Sequence, residues 1–524
     1  MDAIIQAISR STGVKPDVLE GGVNLFGAYP FAALYLLLPR STPPIYRHIY
    51  SIVVASILTS STFSMSTVLH MVAMSATTYL TVHILKTPYM PILLFLFNMG
   101  YLACNLIYWQ ILAASSAQFD QTIPLMVLTI KLTSFAWSVH DGQMPIETLS
   151  AQQKTAMIKD IPGIIEFGGF VTWFPSFMVG PAVDFHDYHN FTHGLPPFNN
   201  IPSTIIPALK KLVSSFFFMG LFLYIGPKFP YRVMATVEFA STYSFLGKFG
   251  YLTVAGFMER CKYYVAWGLS DGASTLTGFG YGGMNKDGTH DWTRAQNVNP
   301  VELETAENAK AIFESWNKKT AYWLRHCVYE RMLYRGDKIK GWATLATFIT
   351  SACWHGYHGG YYFGFASGSF ITNSGRIARR HFRHLFLPPS SLAPFKPIYD
   401  FLGWAITITL TNYSTIPIVM FALDTSFKAW KSFYFIPHIS MLLVMLGFNY
   451  LGWGRYTHRL SRVFGAVEPG VKKRGGGDGK DTSKDTSNSN SKHSNGLKQA
   501  SNGHHTNGNG ASSNGTGKMT DKEV

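Results

Sequence analysis

The sequence contains few charged residues. Asp, Glu, Lys and Arg make up 14% of its 524 positions, whereas soluble domains carry about 25%. Hydrophobic residues make up 47% and aromatic residues 15%. The shortage of charge predicts a polytopic membrane protein. The mean hydropathy is only +0.09, because polar loops and a polar C-terminal segment lower the average.

Cysteine is also scarce. Cys104, Cys261, Cys327 and Cys353 are far apart and form no Cys-x-x-Cys pair, so neither a disulfide framework nor a cysteine zinc site is expected. The net charge is +15, but no basic domain stands apart from the apolar segments. Basic loops are typical of the cytosolic face of a membrane protein, and nucleic acid is not expected as a partner.

Apolar segments recur along the chain, many of them close to the roughly 20 residues that cross a bilayer. The candidate spans are 22–38, 50–63, 68–85, 91–114, 122–139, 164–183, 205–225, 250–269, 341–375, 401–423 and 433–451. They predict an all-α bundle of roughly ten or eleven membrane helices. The span 164–183 is interrupted by Pro175, Gly180 and Pro181, and such broken backbone must be covered by protein or line a cavity.

The composition changes abruptly near residue 466. Residues 466–524 are mostly Gly, Ser, Asn, Lys and Asp, and such a segment cannot bury enough surface to fold. We therefore expect a membrane-embedded domain over 1–465 and a disordered polar tail over 466–524. Basic residues place the tail in the cytosol by the positive-inside rule; they are Arg455, Arg459, Arg462, Lys472, Lys473 and Arg474.

A long amphipathic helix is predicted to begin at Asn299. Asn299 is a good N-cap, Pro300 suits the first helical position, and the next Gly or Pro is Gly336. Asn317 recurs at helical spacing with apolar residues, so it is expected on the buried face.

The segment 341–375 contains no Asp, Glu, Lys or Arg, yet it carries Trp354-His355-Gly356. An ionisable side chain inside a membrane segment usually faces a cavity or a partner, and His suits acid–base chemistry near neutral pH. We therefore hypothesise that His355 is a catalytic base. The alternative is a hydrogen-bonded structural His. Cys353 is a rival nucleophile, but two positions away on a helix it would point to a different side.

Asp184, His186, Asp187, Tyr188 and His189 follow the broken span. Their dense spacing does not match a zinc motif, so we expect the mouth of a cavity or a lumenal loop and no metal. The Gly-rich stretch 275–299 does not fit a phosphate-binding loop either, and we expect an irregular loop there.

Four stretches together resemble the membrane-bound O-acyltransferases, in the lysophospholipid acyltransferase branch. They are Met178–Pro181 with Asp184 and Tyr188; Gly278–Tyr281; Glu314–Asn317 with Trp323–Arg325 and Tyr329–Arg331; and Ser351–Gly356 with Gly360, Tyr361 and Phe365. One departure is His358-Gly359, where many relatives carry a Pro. The tail after Arg462 lies outside the resemblance.

The resemblance implies transfer of a fatty acyl group from acyl-CoA to the free hydroxyl of a lysophospholipid at the endoplasmic reticulum membrane, in a helical bundle that encloses a reaction chamber. It places the catalytic pair at His355 and Asn317, with no cofactor and no metal. Asn317 would either orient His355 or stabilise the oxyanion. Residues expected to contact substrate are Trp316, Trp323, Arg325, Trp354, Gly356, Tyr361, Asp184 and Tyr188.

Other functions stay open at this point. One is acylation of a sterol, a diacylglycerol or a secreted peptide, although Phe313–Asn317 lacks the Phe-Tyr-x-Asp-Trp-Trp-Asn signature of the sterol and diacylglycerol branch. A proton-coupled transporter would be expected to show paired half-repeats, which the sequence does not display. A scaffolding protein would depend on its tail. Oligomeric state, headgroup preference and acyl-chain preference are not determined by the sequence.

Overall fold

A computed structural model describes residues 2–13, 16–39, 41–63, 65–111, 122–333 and 341–467 of the chain. Their contacts fall in one compact unit, Met1–Val471. The predicted tail from residue 468 onward and the predicted helix end at Gly336 lie outside the described residues, and the division at 465/466 stays a prediction.

The described part of the chain is mostly helical. The helices of the first half are α1 Asp2–Thr12, α2 Pro16–Tyr35, α3 Pro44–Thr62, α4 Met65–Ile84, α5 Met90–Ile111, α6 Thr122–Gly142, α7 Ala151–Ala156, α8 Ile164–Val171, α9 Phe185–His193, α10 Ile205–Tyr224 and α11 Val237–Thr242. The second half contains α12 Phe245–Thr277, α13 Pro300–Glu304, α14 Ala309–Ser315, α15 Lys318–Trp323, α16 Gly341–His355, α17 Gly359–Phe382, α18 Lys396–Met420, α19 Leu423–Ser432, α20 Ile436–Asn449 and α21 Gly454–Val463.

Three helical segments of the described residues are long and apolar enough to cross a bilayer: α5, α6 and Ile205–Ala235, which contains α10. The bent pair α19 and α20, with an angle of 81° between them, would make a fourth. The predicted ten or eleven spans are therefore not confirmed. Among the three, α6 is mostly buried and α10 is mostly exposed, so α6 is a central element of the bundle.

Residues 164–183 do not form one helix. Helix α8 ends at Val171, and the irregular segment that follows is buried, with Trp173, Phe174 and Phe177 each at most 2% exposed. The broken backbone is thus covered by protein, as expected. Lys131 of α6 is buried and donates from Nζ to the carbonyl oxygen of Val171 at 2.9 Å, which partners one of the free carbonyls at the end of α8.

The prediction of one long helix beginning at Asn299 is wrong. Asn299 does cap a helix through its side chain, but α13 ends after five residues. Asn308 then caps α14, and Asn317 separates α14 from α15 with a φ of 45°. A π-helical segment, Leu324–Tyr329, continues α15. Asparagine side chains bond to nearby backbone N–H groups, which favours new helix starts over one continuous helix.

The stretch 275–299 is more ordered than predicted. Helix α12 continues to Thr277, and the strands β1 Gly283–Met284 and β2 His290–Asp291 form an antiparallel hairpin. Gly283 pairs with Asp291 and Met284 with His290. The residues after β2 lead to Asn297, which contacts Asn317.

Candidate functional site

His355 is the last residue of α16. The helix ends there because Gly356 has a φ of 139°, a conformation that glycine adopts readily and other residues rarely do. A Cβ atom at position 356 would lie 3.0 Å from Cε2 of Tyr361. The Trp-His-Gly sequence therefore marks a helix end at which the chain turns into α17.

The His355 ring lies among aromatic side chains. Its centroid is 4.7 Å from that of Trp354, 5.7 Å from that of Tyr361 in a near-parallel arrangement, and 5.1 Å from that of Phe365. The residue is partly exposed. Among the residues that the structure describes, none hydrogen-bonds to a His355 ring nitrogen. The catalytic role of His355, against the structural alternative considered from sequence, stays a prediction.

Two tryptophans fix the segment around His355 to α6. Trp354 donates from Nε1 to the carbonyl oxygen of Met126 at 3.0 Å, and Trp323 donates from Nε1 to the Thr133 hydroxyl at 2.9 Å. The centroids of the two indole rings are 6.2 Å apart. Both side chains are buried. Trp323 and Trp354 thus hold this segment against α6, and their predicted contact with substrate stays a prediction.

Asn317 lies between α14 and α15 and is held by Asn297. Asn297 donates from Nδ2 to Oδ1 of Asn317 at 3.1 Å. The backbone carbonyl oxygen of Asn297 accepts from the backbone N–H of Lys318 at 2.8 Å. Its side-chain Oδ1 accepts from the backbone N–H of Lys319 at 3.1 Å. Asn297 is 3% exposed. Sequence analysis missed it, because one Asn in a Gly-rich polar stretch carries no distinctive spacing.

Charged side chains surround the Asn317 segment. Lys211 of α10 donates from Nζ to Oδ1 of Asp271 at 2.7 Å and to the Thr275 hydroxyl at 3.0 Å. Lys318 donates to the side-chain oxygen of Gln296 at 3.1 Å, and the charges of Lys318 and Lys319 act on the Asp271 carboxylate. This side of the site is therefore polar, whereas the His355 side is aromatic.

Trp316 and Arg325 lie on either side of α15. The Trp316 ring packs on α12, with centroid distances of 5.2 Å to Tyr263 and 5.0 Å to Trp267. The Arg325 side chain is exposed and pairs with Glu330, with 3.0 Å from Nε to Oε1. Among the described residues, no ring contact, hydrogen bond or ion pair joins either side chain to His355.

Asp184 and Tyr188 lie at the start of α9 in different environments. Asp184 precedes the helix without capping it through its side chain. Burial raises the pKa of its carboxyl to about 6, while the positive charge of Lys319 opposes the rise. Tyr188 is fully buried and its hydroxyl hydrogen-bonds Nδ1 of His48 at 2.9 Å. Asp184 therefore faces the Asn317 segment, and Tyr188 belongs to the core.

The structure places Asn317 and His355 in connected segments but not in direct contact. Within the described residues no hydrogen bond joins the two side chains. The connection runs from Asn317 through α15 to Trp323 and on to Trp354. Two pockets of about 510 and 390 Å³ are lined by other residues.

Comparison with known proteins matches residues 106–416 to the model of the membrane-bound O-acyltransferase family. That range contains Asn297, Asn317 and His355. It ends well before the polar tail.

Curated proteins show the same relationship. The chain is 35% identical over 461 residues to "Lysophospholipid acyltransferase" of Schizosaccharomyces pombe, covering 86% of this chain and 89% of that protein. It is 31% identical over 503 residues to the protein of the same name from Saccharomyces cerevisiae, covering 90% and 79%. It is 34% identical over 369 residues to human "Membrane-bound glycerophospholipid O-acyltransferase 1", covering 67% and 72%.

Proposed function

Because the chain belongs to the membrane-bound O-acyltransferase family, we propose that it is a lysophospholipid acyltransferase that uses acyl-CoA as the donor. The chain is an O-acyltransferase. The acceptor is inferred from the names of its relatives, which specify lysophospholipid or glycerophospholipid. The donor is inferred from the chemistry, because a thioester is activated enough to acylate an alcohol without a metal or a cofactor.

His355 acts as the general base in this proposal. The lysophospholipid hydroxyl loses its proton to a neutral imidazole nitrogen as its oxygen attacks the thioester carbonyl carbon. A C–O bond forms, the C–S bond breaks, and the departing CoA thiolate takes the proton from the imidazolium. Positioned proton transfer of this kind contributes typically about 10²–10⁴-fold. A partly exposed ring without a hydrogen-bond partner among the described residues is available for this exchange.

Asn317 stabilises the tetrahedral oxyanion rather than orienting His355. Its Oδ1 already accepts a hydrogen bond from Asn297, so the N–H groups of its amide remain to donate. A donor aimed at the developing oxyanion is worth about 3–4 kcal/mol in other enzymes. This role needs no direct hydrogen bond between Asn317 and His355.

The setting of the reaction is proposed on the same basis. Roughly ten or eleven membrane helices would enclose a chamber between the aromatic His355 side and the polar Asn317 side. Acyl-CoA would enter from the cytosol and lysophospholipid from the bilayer. We place the enzyme in the endoplasmic reticulum membrane, with the polar tail in the cytosol by the positive-inside rule.

The observation that carries the proposal is the contact of Trp323 with Trp354, 6.2 Å between ring centroids, because it ties the segment of Asn317 to that of His355. The test uses detergent-purified protein, one labelled acyl-CoA and a panel of acceptors: lysophospholipids with different headgroups, a sterol, a diacylglycerol and a peptide. We expect product from lysophospholipids alone, and turnover lower by about 10²–10⁴-fold with His355→Ala. Acylation of the sterol, the diacylglycerol or the peptide in place of lysophospholipid would overturn the assignment of the acceptor.

A further inference from the structure

A second group of ionisable side chains lies away from His355, where α3, α8 and α9 meet. His48 comes from α3, Glu166 from α8 and His193 from the last turn of α9. One potential ligand atom of each lies within 4.8 Å of the others. His193 follows His189 by four residues on the same helix. His48 and Glu166 are distant from the cluster that ends at His189 in the sequence, and only folding brings them to this face.

The hydrogen bonds around the group orient all three side chains. Nδ1 of His48 bonds to the Tyr188 hydroxyl at 2.9 Å, and Nδ1 of His193 bonds to the carbonyl oxygen of His189 at 2.9 Å. These bonds leave Nε2 of each imidazole without a partner among the described residues, and Nδ1 of His193 lies 3.9 Å from Oε1 of Glu166. Glu166 accepts from Nδ1 of His189 through Oε1 at 2.7 Å, which leaves Oε2. Histidine ligands of metals almost always donate their other ring N–H to an oxygen in this way.

The three side chains of the group differ in exposure. His48 is 3% exposed, while the side chains of Glu166 and His193 are 16% and 30% exposed. A cavity of about 510 Å³ opens on all three, and the rest of its lining is largely apolar, from Pro43–Ile45 and Gly163–Ile165. An ion held by the three ligands would have protein behind it and one free position toward the cavity.

We propose that His48, Glu166 and His193 form a binding site for a divalent transition-metal ion, of which Zn²⁺ fits the ligands best. Two histidines and one glutamate with an open fourth position are a known zinc ligand set. Zinc–nitrogen and zinc–oxygen bonds of about 2.0–2.2 Å require the ligand atoms to move closer together by about 1–1.5 Å. The exposed Glu166 and His193 side chains can do this by rotation.

The ion would join α3 to α8 and α9, which are distant from α3 in sequence but follow one another along the chain. Helix α9 begins beside Asp184, whose carboxylate interacts with Lys319 of α15. Metal at the other end of α9 would therefore stabilise a wall of the acyltransferase site without taking part in the reaction. Such an ion binds only the folded chain. The thermal midpoint of unfolding should therefore rise as the concentration of the ion is increased.

The test measures bound metal rather than acyl transfer, so its result does not depend on the proposed function. Full-length protein without a purification tag is stripped with a chelator, reloaded with Zn²⁺, desalted and analysed for zinc by mass spectrometry. Reloading with Co²⁺ reports tetrahedral geometry through its visible absorption. His193→Ala and Glu166→Gln change partly exposed ligands, and both should leave the protein folded. His326→Ala is the matched control, since His326 pairs with Glu330 at 2.7 Å without belonging to the cluster.

We expect about one zinc ion per wild-type chain, intense tetrahedral cobalt absorption, and the same for His326→Ala. His193→Ala and Glu166→Gln should each weaken binding by at least about 100-fold, since even the loss of an outer-shell partner costs 10–100-fold. The tail contains three further histidines that can bind zinc, His493, His504 and His505. Every variant keeps them, so the difference in bound zinc between variants measures binding at the cluster. Equal zinc in wild type and in both cluster variants, or no bound zinc in wild type, would overturn the site.

Discussion

Asn297 donates a hydrogen bond from its side-chain nitrogen to the side-chain oxygen of Asn317, at a distance of 3.1 Å. Asn317 has a left-handed backbone, with φ 45° and ψ 53°, which Asn tolerates better than most residues. Asn297 also binds the next two backbone N–H groups. A single buried residue therefore fixes both the backbone and the amide orientation of Asn317.

Replacing Asn297 by Ala should lower turnover while the protein remains folded. The Asn317 amide would lose the bond that fixes its orientation and could rotate away from the oxyanion. We expect kcat to fall by about 10²-fold, near the effect of losing one oxyanion donor, with a smaller change in KM. Steady-state kinetics of the purified variant with acyl-CoA and lysophospholipid measure both constants.

The matched control is Asn299→Ala, two positions along the chain. Asn299 caps α13 by accepting from the backbone N–H of Glu302 at 3.3 Å, and loss of such a cap costs about 1 kcal/mol of stability. The kcat of the Asn299→Ala variant should be unchanged, although its thermal midpoint of unfolding should fall. A normal kcat for Asn297→Ala, or equal losses of kcat in both variants, would show that Asn297 does not position the catalytic amide.

His355→Ala should reduce turnover by about 10²–10⁴-fold, the usual contribution of a general base. Cys353→Ala should keep full turnover, since the Cys353 sulfur lies 3.6 Å from the Tyr362 hydroxyl and plays no part in the proposed reaction. Turnover of both variants is compared at equal amounts of monodisperse protein. An inactive Cys353→Ala variant would contradict the proposal that Cys353 takes no part in the reaction. An active His355→Ala variant would reject His355 as the general base.

Gly356→Ala should impair catalysis through geometry alone. The new Cβ would approach the Tyr361 ring to 3.0 Å at a φ of 139°, so the turn must shift and His355 must move with it. Gly375→Ala is the control, because nothing lies within 4 Å of its Cβ position in α17 and Ala in a helix interior stabilises by about 0.5–1 kcal/mol. We expect lower kcat for the first variant and unchanged kcat with a higher thermal midpoint for the second. Equal kcat in the two variants would contradict the positioning role of the turn.

The sequence predicted the local features of the site better than its three-dimensional arrangement. For 341–375 the sequence left open whether one long helix or two form, and the structure has two, with the break after His355. The cap at Asn299 depends on neighbouring residues and follows from residue type. The break at Asn317 does not, because it depends on hydrogen bonds to Asn297, twenty positions upstream. The burial of Trp323 and Trp354 depends on partners in α6, which no spacing within their own segments reveals. Apolar composition predicted more spans than helix length and hydropathy confirm.

Arg331→Met should destabilise the protein strongly. The Arg331 guanidinium forms two hydrogen bonds to the Asp141 carboxylate, at 2.7 and 2.5 Å, and lies 4.2 Å from the centre of the Trp137 ring. Asp141 is 2% exposed, so removing its partner leaves a buried charge, which typically costs about 3–5 kcal/mol. Thermal unfolding in detergent should show a large fall in midpoint.

Arg325→Met tests the same change at an exposed ion pair. Arg325 pairs with Glu330 at 3.0 Å, but 71% of its side chain is exposed, and such pairs contribute about 0–1 kcal/mol. Its thermal midpoint should hardly change. A raised KM with a normal midpoint would support the predicted contact of Arg325 with substrate, whereas equal destabilisation of both variants would contradict the contrast between buried and exposed pairs.

Asp184→Asn should make the protein more stable at high pH and leave its stability unchanged at low pH. The folded state raises the pKa of Asp184 from 3.8 to about 6, chiefly by burial, so the native state takes up a proton before the unfolded state does. Above the folded pKa the buried carboxylate destabilises the fold, and this cost is lost as pH falls from about 6 toward 4. The charges that act on Asp184 are those of Lys319, Asp187 and Arg294.

Because one pKa unit corresponds to about 1.4 kcal/mol, Asp184→Asn should stabilise the protein by up to about 3 kcal/mol at about pH 8. Thermal midpoints of wild type and variant, measured across this pH range, should converge on the acid side. Asp287→Asn is the control with the opposite sign, since hydrogen bonds from Thr289 lower the pKa of the exposed Asp287. That variant should be no more stable than wild type at high pH. If the thermal midpoints of wild type and Asp184→Asn changed with pH in parallel, the folded state would not raise the pKa of Asp184. That result would contradict the placement of its carboxylate near Lys319.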